Sequence, residues 1–132
     1  MKFCDRIHVL VILMINSLVL AYLGDAIYEL YIRKYLVSTG INNVKDLQKE
    51  SLKYVSAVSQ RVHLEKLISE NVLSEAEIEI FKRGRNAKGH KSKSTDIVTY
   101  KIATGLECLI GDLYQNKKEN RILEIMNYIV GE

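Results

Sequence analysis

The chain has 132 residues, with Lys+Arg 19 against Asp+Glu 16 and a formal charge of +3. That is one domain's worth of chain, and 48% hydrophobic with 27% charged residues argues against disorder or low-complexity scaffolding. Pro 0 and Gly 7 leave too few chain-breakers for a sandwich of short strands, which excludes an all-β fold and favours long helices. So small a net charge does not imply nucleic-acid binding by itself; the distribution of charge has to carry that argument. Cys4 and Cys108 have no CxxC spacing and no His or Cys run beside them, which reads as two reduced thiols in a cytoplasmic protein rather than a zinc site or a disulfide framework.

Lys2 and Arg6 precede an apolar run from Val9 to Ile15, and Val19-Leu20-Ala21 has the outline of a small-residue cleavage site, as in a signal peptide. Asn16 and Ser17 interrupt that run, it is too short to span a membrane, and cleavage after Ala21 would cut into the next helix. The segment is therefore read as a buried N-terminal helix or turn.

From Ser17, read as the cap, Leu18, Ala21, Tyr22, Asp25, Tyr28, Glu29 and Ile32 recur at helical spacing and predict a first helix to about Leu36. Asn42-Asn43 open a second, longer helix to about Glu70, with Val44, Leu47, Leu52, Val55, Val58, Val62 and Leu67 as its apolar series. Ser74 and Glu77 form a capping box for a short acidic helix, Glu75 to about Arg83, with Ile78 and Phe81 facing inward. Arg85 to Lys93 lacks apolar periodicity and reads as an exposed loop. Ser94 or Thr95 starts a helix through Ile97, Val98, Ile102, Ala103, Leu106, Ile110 and Leu113, and a last amphipathic helix runs from about Lys118 to Ile129. The expectation is an all-α single domain over residues 1–132, core about 17–130, with five to seven helices.

Two local violations of the helical pattern point to chemistry. Gly24-Asp25 sits inside Leu18 to Tyr31, where a glycine costs about 1 kcal/mol against alanine and a carboxylate on an apolar face needs a partner. Ala103 to Tyr114 repeats the pattern, with Glu107 between Gly105 and Gly111. Small residues on that face would let another helix approach and bring Asp25 near Glu107, and two close carboxylates call for a shared proton or a cation. Oxygen-only ligands favour magnesium, with manganese as a substitute, over zinc. His8, His63 and His90 are scattered and form no ligand cluster.

The third feature is Lys82, Arg83, Arg85, Lys88, Lys91 and Lys93, six basic residues within twelve and no acid among them. Glu65 to Glu79 is acidic by contrast, so the chain separates its signs. With Asn86 and Gly89 these residues suit phosphate contacts, and the lack of aromatics favours a duplex backbone over stacked single strands. Glu29, one turn after Asp25, and Thr104 are candidates to support the two acids, although Glu29 is as readily a solvated position. Tyr22 and Tyr28 read as packing residues with a hydrogen-bonding tip, and Cys108 as a small core residue that no histidine activates. On residues alone, the readings left open are a metal-dependent nuclease, a non-catalytic RNA-binding module, and a helical interaction protein whose two acids satisfy buried donors.

Leu23-Gly24-Asp25-Ala26 and Ala103-Thr104-Gly105-Leu106-Glu107 resemble the two acidic signatures of the ribonuclease III catalytic domain. Leu20 to Ala26, Lys53 to Ala57, Arg83 to Lys88, and Thr95-Asp96 with Thr99-Tyr100 are similar to segments of the mini-ribonuclease III branch. The resemblance runs from about Ser17 to the C-terminus and brings the segment before Ser17 into the domain.

The resemblance implies an all-helical homodimer that cleaves double-stranded RNA with magnesium, in the maturation of the large-subunit (23S) ribosomal RNA precursor. Carried over by position, Asp25 and Glu107 become the catalytic and metal-binding carboxylates. Larger relatives place further acids where this chain has Leu18, Ala21 and Thr104, so the site is thinner in charge. Gly105, Leu106 and Cys108 stand where the branch more often has Ala, Phe and Ala, and Asp112 where an aromatic is frequent. Loss of the Phe predicts looser packing near Glu107. With only Gly131 and Glu132 beyond the last helix, the catalytic domain is expected to hold its substrate through the basic loop, Lys82, Arg83, Arg85, Asn86, Lys88, Lys91 and Lys93. A catalytically inactive RNA-binding or ribosome-associated module of the same fold is the alternative.

Overall fold

The computed structural model describes residues 2, 3, 6, 16–89 and 96–131. Six helices are defined among the described residues: α1 Ser17–Ser38, α2 Val44–Val55, α3 Ala57–Ser69, α4 Glu75–Arg85, α5 Ile97–Gln115 and α6 Glu119–Val130. This is the expected all-α fold. The reading of the apolar run before Asn16, and of Ser94 and Thr95 as a cap, lies outside the described residues.

The cap of α1 is Asn16, not Ser17: its Oδ1 accepts from the N–H groups of Leu18 at 2.9 Å and Val19 at 3.4 Å. An Asn side chain satisfies two of the donors that a helix start leaves open, so the helix begins one residue after it. Its buried side is formed by Leu20, Ala21, Gly24, Ile27, Tyr28, Ile32 and Leu36.

The long second helix is in fact two. Ser56 lies in extended backbone between α2 and α3, and its Oγ accepts the N–H of Ser59 at 3.2 Å. No Gly or Pro marks the break; a serine that can cap the following helix offers the backbone an alternative to continuing. The break also redirects the apolar series. Val44 is 68% exposed, and Leu52, Val58 and Val62 also face outward, whereas Leu64 and Leu67 are buried.

The capping box at Ser74 and Glu77 is present, with Glu77 N–H to Ser74 Oγ at 3.1 Å and Ser74 N–H to Glu77 Oε1 at 2.9 Å. The α4 helix continues through Gly84 to Arg85, past the expected stop. Asp96 caps α5, accepting from Thr99 N–H at 2.8 Å. Ile97 and Val98 are exposed, so the buried face of α5 starts at Thr99.

Helix α5 lies at the centre, packed against α1, α3 and α4, with α6 against its C-terminal part and against α1. Tyr28, Ile32, Leu64, Leu67, Leu106, Leu109, Ile110, Ile122 and Ile125 form one fully buried core, and burying each aliphatic side chain contributes about 1.5–3 kcal/mol. Glycines set the spacing at two crossings. A Cβ on Gly111 would lie 1.9 Å from the carbonyl oxygen of Leu20, which fixes α1 against α5. A Cβ on Gly105 would lie 2.5 Å from the Phe81 ring, so Phe81 of α4 fills that space. Near Glu107, Leu106 is fully buried and Phe81 of α4 packs against Gly105.

An Arg121–Glu77 pair ties α6 to α4. Arg121 Nε and Nη2 donate to Glu77 Oε2 and Oε1, both at 2.8 Å, and Nη2 also donates to the Val72 carbonyl at 2.7 Å.

Candidate active site

The glycine-mediated crossing of α1 and α5 sets Asp25 beside Glu107. Gly24 precedes Asp25 and its missing Cβ would meet the Glu107 carbonyl at 1.8 Å, so the backbones touch at the two acids. Asp25 lies close enough to Glu107 for its carboxyl to act on that of Glu107. Asp25 is exposed and Glu107 partly buried, so the pair opens to solvent on one side only.

Burial, and next to it the neighbouring Asp25 carboxyl, push the Glu107 carboxyl up to about 9, while the Gln60 amide acts in the opposite sense. Glu29 adds its negative charge to the same field, although its own ion pair is with Arg33, at 3.5 Å. Glu29 is thus close enough to act on Glu107 electrostatically. The Thr104 hydroxyl is directed elsewhere, donating to the Tyr100 carbonyl one turn back at 2.9 Å.

Among the described residues, no group of three or more His, Cys, Asp or Glu side chains is placed to hold a metal ion. The donors that do converge are two carboxylates, hard oxygens with an open side. They fit a hard divalent cation that draws the remainder of its coordination from water and phosphate oxygens.

The basic residues gather in part. Lys82, Arg83, Asn86 and Lys88 line an open hollow of about 660 Å³ with Asn16, Ser17, Glu79 and Ala87. Lys82 also pairs with Glu79 at 3.6 Å. Arg85 is committed to its own helix end, its Nε donating to Asn86 Oδ1 at 3.1 Å and its guanidinium lying over the Phe81 ring. Lys91 and Lys93 lie outside the described residues. Asp25 follows Ser17 by eight positions, about 12 Å along α1 at the helical rise, so the hollow and the acids share one helix.

Tyr28 is fully buried, with its hydroxyl donating to the Tyr54 carbonyl at 2.7 Å, as a packing tyrosine should. Tyr22 departs from that reading: it is 84% exposed, because it lies on the opposite side of α1 from Gly24 and Ile27. Cys108 is buried with its thiol pushed up to about 11 by burial, which makes it a core residue and not a nucleophile. Gln60 was missed. The only signal was a polar amide in the apolar series between Val58 and Val62, and without knowing of the break at Ser56 its direction could not be assigned.

The family model of the ribonuclease III domain matches residues 18–118, the span that carries both acids. The chain belongs to the ribonuclease III domain family. Mini-ribonuclease 3 from Enterococcus faecalis is 43% identical over 117 residues, spanning 88% of this chain and 89% of that protein. Mini-ribonuclease 3 from Acholeplasma laidlawii is 49% identical over 98 residues, covering 74% and 78%. The solved structure of protein FN1578 from Fusobacterium nucleatum superposes with a TM-score of 0.79 at 39% identity, covering 89% of this chain and 94% of that one. This ribonuclease III domain is an endoribonuclease of the mini-ribonuclease III branch. Among the described residues, no helix is long and apolar enough to cross a membrane.

Proposed function

We propose that this endoribonuclease cleaves double-stranded RNA, with Asp25 and Glu107 holding magnesium, or manganese as a substitute, at the scissile phosphate. The observation that carries the reading is the pairing of those two carboxylates across the α1–α5 crossing. A cation held there supplies positive charge at the phosphate and lowers the pKa of bound water. The exposed Asp25 presents its carboxylate toward solvent, where the substrate arrives. Glu107 is fixed from behind by the packed α5 backbone, so its position is set before RNA binds.

Lys82, Arg83 and Lys88, with Asn86, serve as phosphate contacts that position the duplex without reading its sequence. Lys91 and Lys93 belong to the same basic stretch by sequence and extend it. Arg85, held by Asn86 and Phe81, shapes the end of α4 more than it meets RNA.

The reading includes a homodimer. Its support is an outward stripe on α1, Val19, Tyr22, Ala26 and Leu30, which turns beside Asp25, together with exposed Val58 and Val62 on α3. Apolar side chains at that spacing are the makings of a subunit interface, and a two-fold arrangement gives one pair of acids per RNA strand. Tyr22→Arg should convert a dimer to monomers in sedimentation; a parent protein that sediments as a monomer refutes this part.

The reading includes a cytoplasmic role on the precursor of large-subunit ribosomal RNA, and the likeness to mini-ribonuclease 3 proteins supports it. The test is incubation of the protein with structured 23S precursor RNA. The expected result is chelator-sensitive cuts leaving 5′-phosphate ends. RNA that is retarded but uncut would favour a non-catalytic binding module of the same fold.

A further inference from the structure

One acid stands among the residues that line the basic hollow. Glu79 shares it with Lys82, Arg83, Asn86 and Lys88, and spacings of three, four and seven residues put Glu79, Lys82, Arg83 and Asn86 on one face of α4. A carboxylate among phosphate contacts opposes the ligand, since it repels the same backbone that its neighbours attract.

The stability of α4 gives no reason for it. A helix dipole favours acids in the first turn, where Glu75 and Glu77 stand, and Glu77 also caps the helix and pairs with Arg121. Glu79 lies past that turn. Its pair with Lys82, at 3.6 Å, joins side chains that are 66% and 47% exposed, a setting in which an ion pair contributes little. The carboxylate therefore stays hydrated and open to a ligand.

An ionised carboxylate accepts hydrogen bonds and donates none. Along a duplex backbone the phosphate oxygens are acceptors as well; the donor is the 2′-hydroxyl of ribose, which RNA has and DNA lacks. Glu79 and Lys82 are about 4.5 Å apart along the helix axis, so the acceptor and the nearest cation are neighbours, as a sugar hydroxyl and a phosphate are.

We infer that Glu79 determines sugar specificity: its carboxylate accepts the 2′-hydroxyl of a ribose whose phosphate is held by Lys82, and it disfavours any backbone without that donor. A duplex lacking the hydroxyl leaves the carboxylate facing phosphates with nothing to bond, so the penalty falls on the wrong substrate alone. The inference rests on the duplex-binding role of the hollow proposed above.

The test measures retention by the full-length protein, at low salt in chelator so that nothing is cut. The probes are an RNA duplex and the same duplex with 2′-fluoro sugars, which keep the A form and lack the hydroxyl. Glu79→Ala and Glu79→Gln alter an exposed side chain and should melt with the parent. Affinity for RNA relative to the fluoro duplex should fall about fivefold in Glu79→Ala, the worth of one hydrogen bond, and less in Glu79→Gln, whose amide oxygen still accepts. An equal change for both duplexes, the mark of simple repulsion, or no change in either, would overturn the inference. Arg83→Gln and Lys88→Gln separate the two claims. If both leave RNA retention unaltered, the hollow does not hold the duplex and the inference falls with it; if both weaken retention while Glu79→Ala keeps the parental ratio, the assignment of Glu79 alone fails.

Discussion

Gly24 and Glu107 are in backbone contact: a Cβ on Gly24 would stand 1.8 Å from the Glu107 carbonyl oxygen. The obstacle is backbone, not the end of a flexible side chain, so α1 and α5 would have to separate to admit even a methyl group. Gly24→Ala should therefore destabilise the fold by about 3 kcal/mol or more, read as a lowered midpoint in urea unfolding. Gly111→Ala, aimed at the Leu20 carbonyl at 1.9 Å, should behave alike. Gly131→Ala is a control of a different kind, since a Cβ there meets nothing and only the left-handed φ of 83 opposes it.

The acid pair makes stability depend on pH. Glu107 titrates near 4.5 in an ordinary setting and near 9 in the fold. A raised carboxyl means that the folded state binds the extra proton between those values, so the stabilisation is complete below about pH 4.5 and is lost as pH rises toward 9. In chelator, the melting temperature should fall across that window. Glu107→Gln, which cannot ionise, should flatten the dependence, and added Mg2+ at pH 8 should raise the melting temperature of the parent but not of the variant.

Arg121 of α6 reaches across to α4. Its two bonds to Glu77 and one to the Val72 carbonyl leave the Glu77 carboxyl below its ordinary range, chiefly through the Arg121 hydrogen bond. Arg121→Met should cost about 3 kcal/mol, because it strands a carboxylate that is only 10% exposed. Because the Glu77 pKa is depressed, its contribution holds above the ordinary carboxyl range and is lost as pH falls below it. The destabilisation should therefore shrink in acid, as measured by denaturant unfolding at two pH values.

Binding of RNA should fall steeply with salt, since the contacts available in the hollow are to phosphates. Arg83→Gln and Lys88→Gln should each weaken binding and reduce the slope of log K against log salt by about one. Arg85→Gln should change the slope less, its guanidinium being occupied by Asn86 and Phe81.

The parts of this fold written as local signals were legible. Ser74 and Glu77 announce α4 because a capping box is a contiguous motif, and Gly24-Asp25 with Gly105 to Gly111 announced a crossing because glycine inside an apolar helix is costly unless something approaches it. The division at Ser56 was not legible: serine is tolerated within helices, and its capping of α3 acts together with the tertiary contacts of Tyr54 and Arg61. That single miss turned Val58 and Val62 inward on paper and hid Gln60. Tyr22 was misplaced for a related reason, since a helix packed on a broad side has no narrow apolar stripe from which to read direction.

The most direct measurement is cleavage of 5′-labelled duplex RNA by the parent, Asp25→Asn and Glu107→Gln in Mg2+, with RNA retention measured alongside. Loss of cutting by at least about a thousandfold in both variants, with retention and folding kept, is the predicted result. Parental cutting rates in either variant would contradict the assignment.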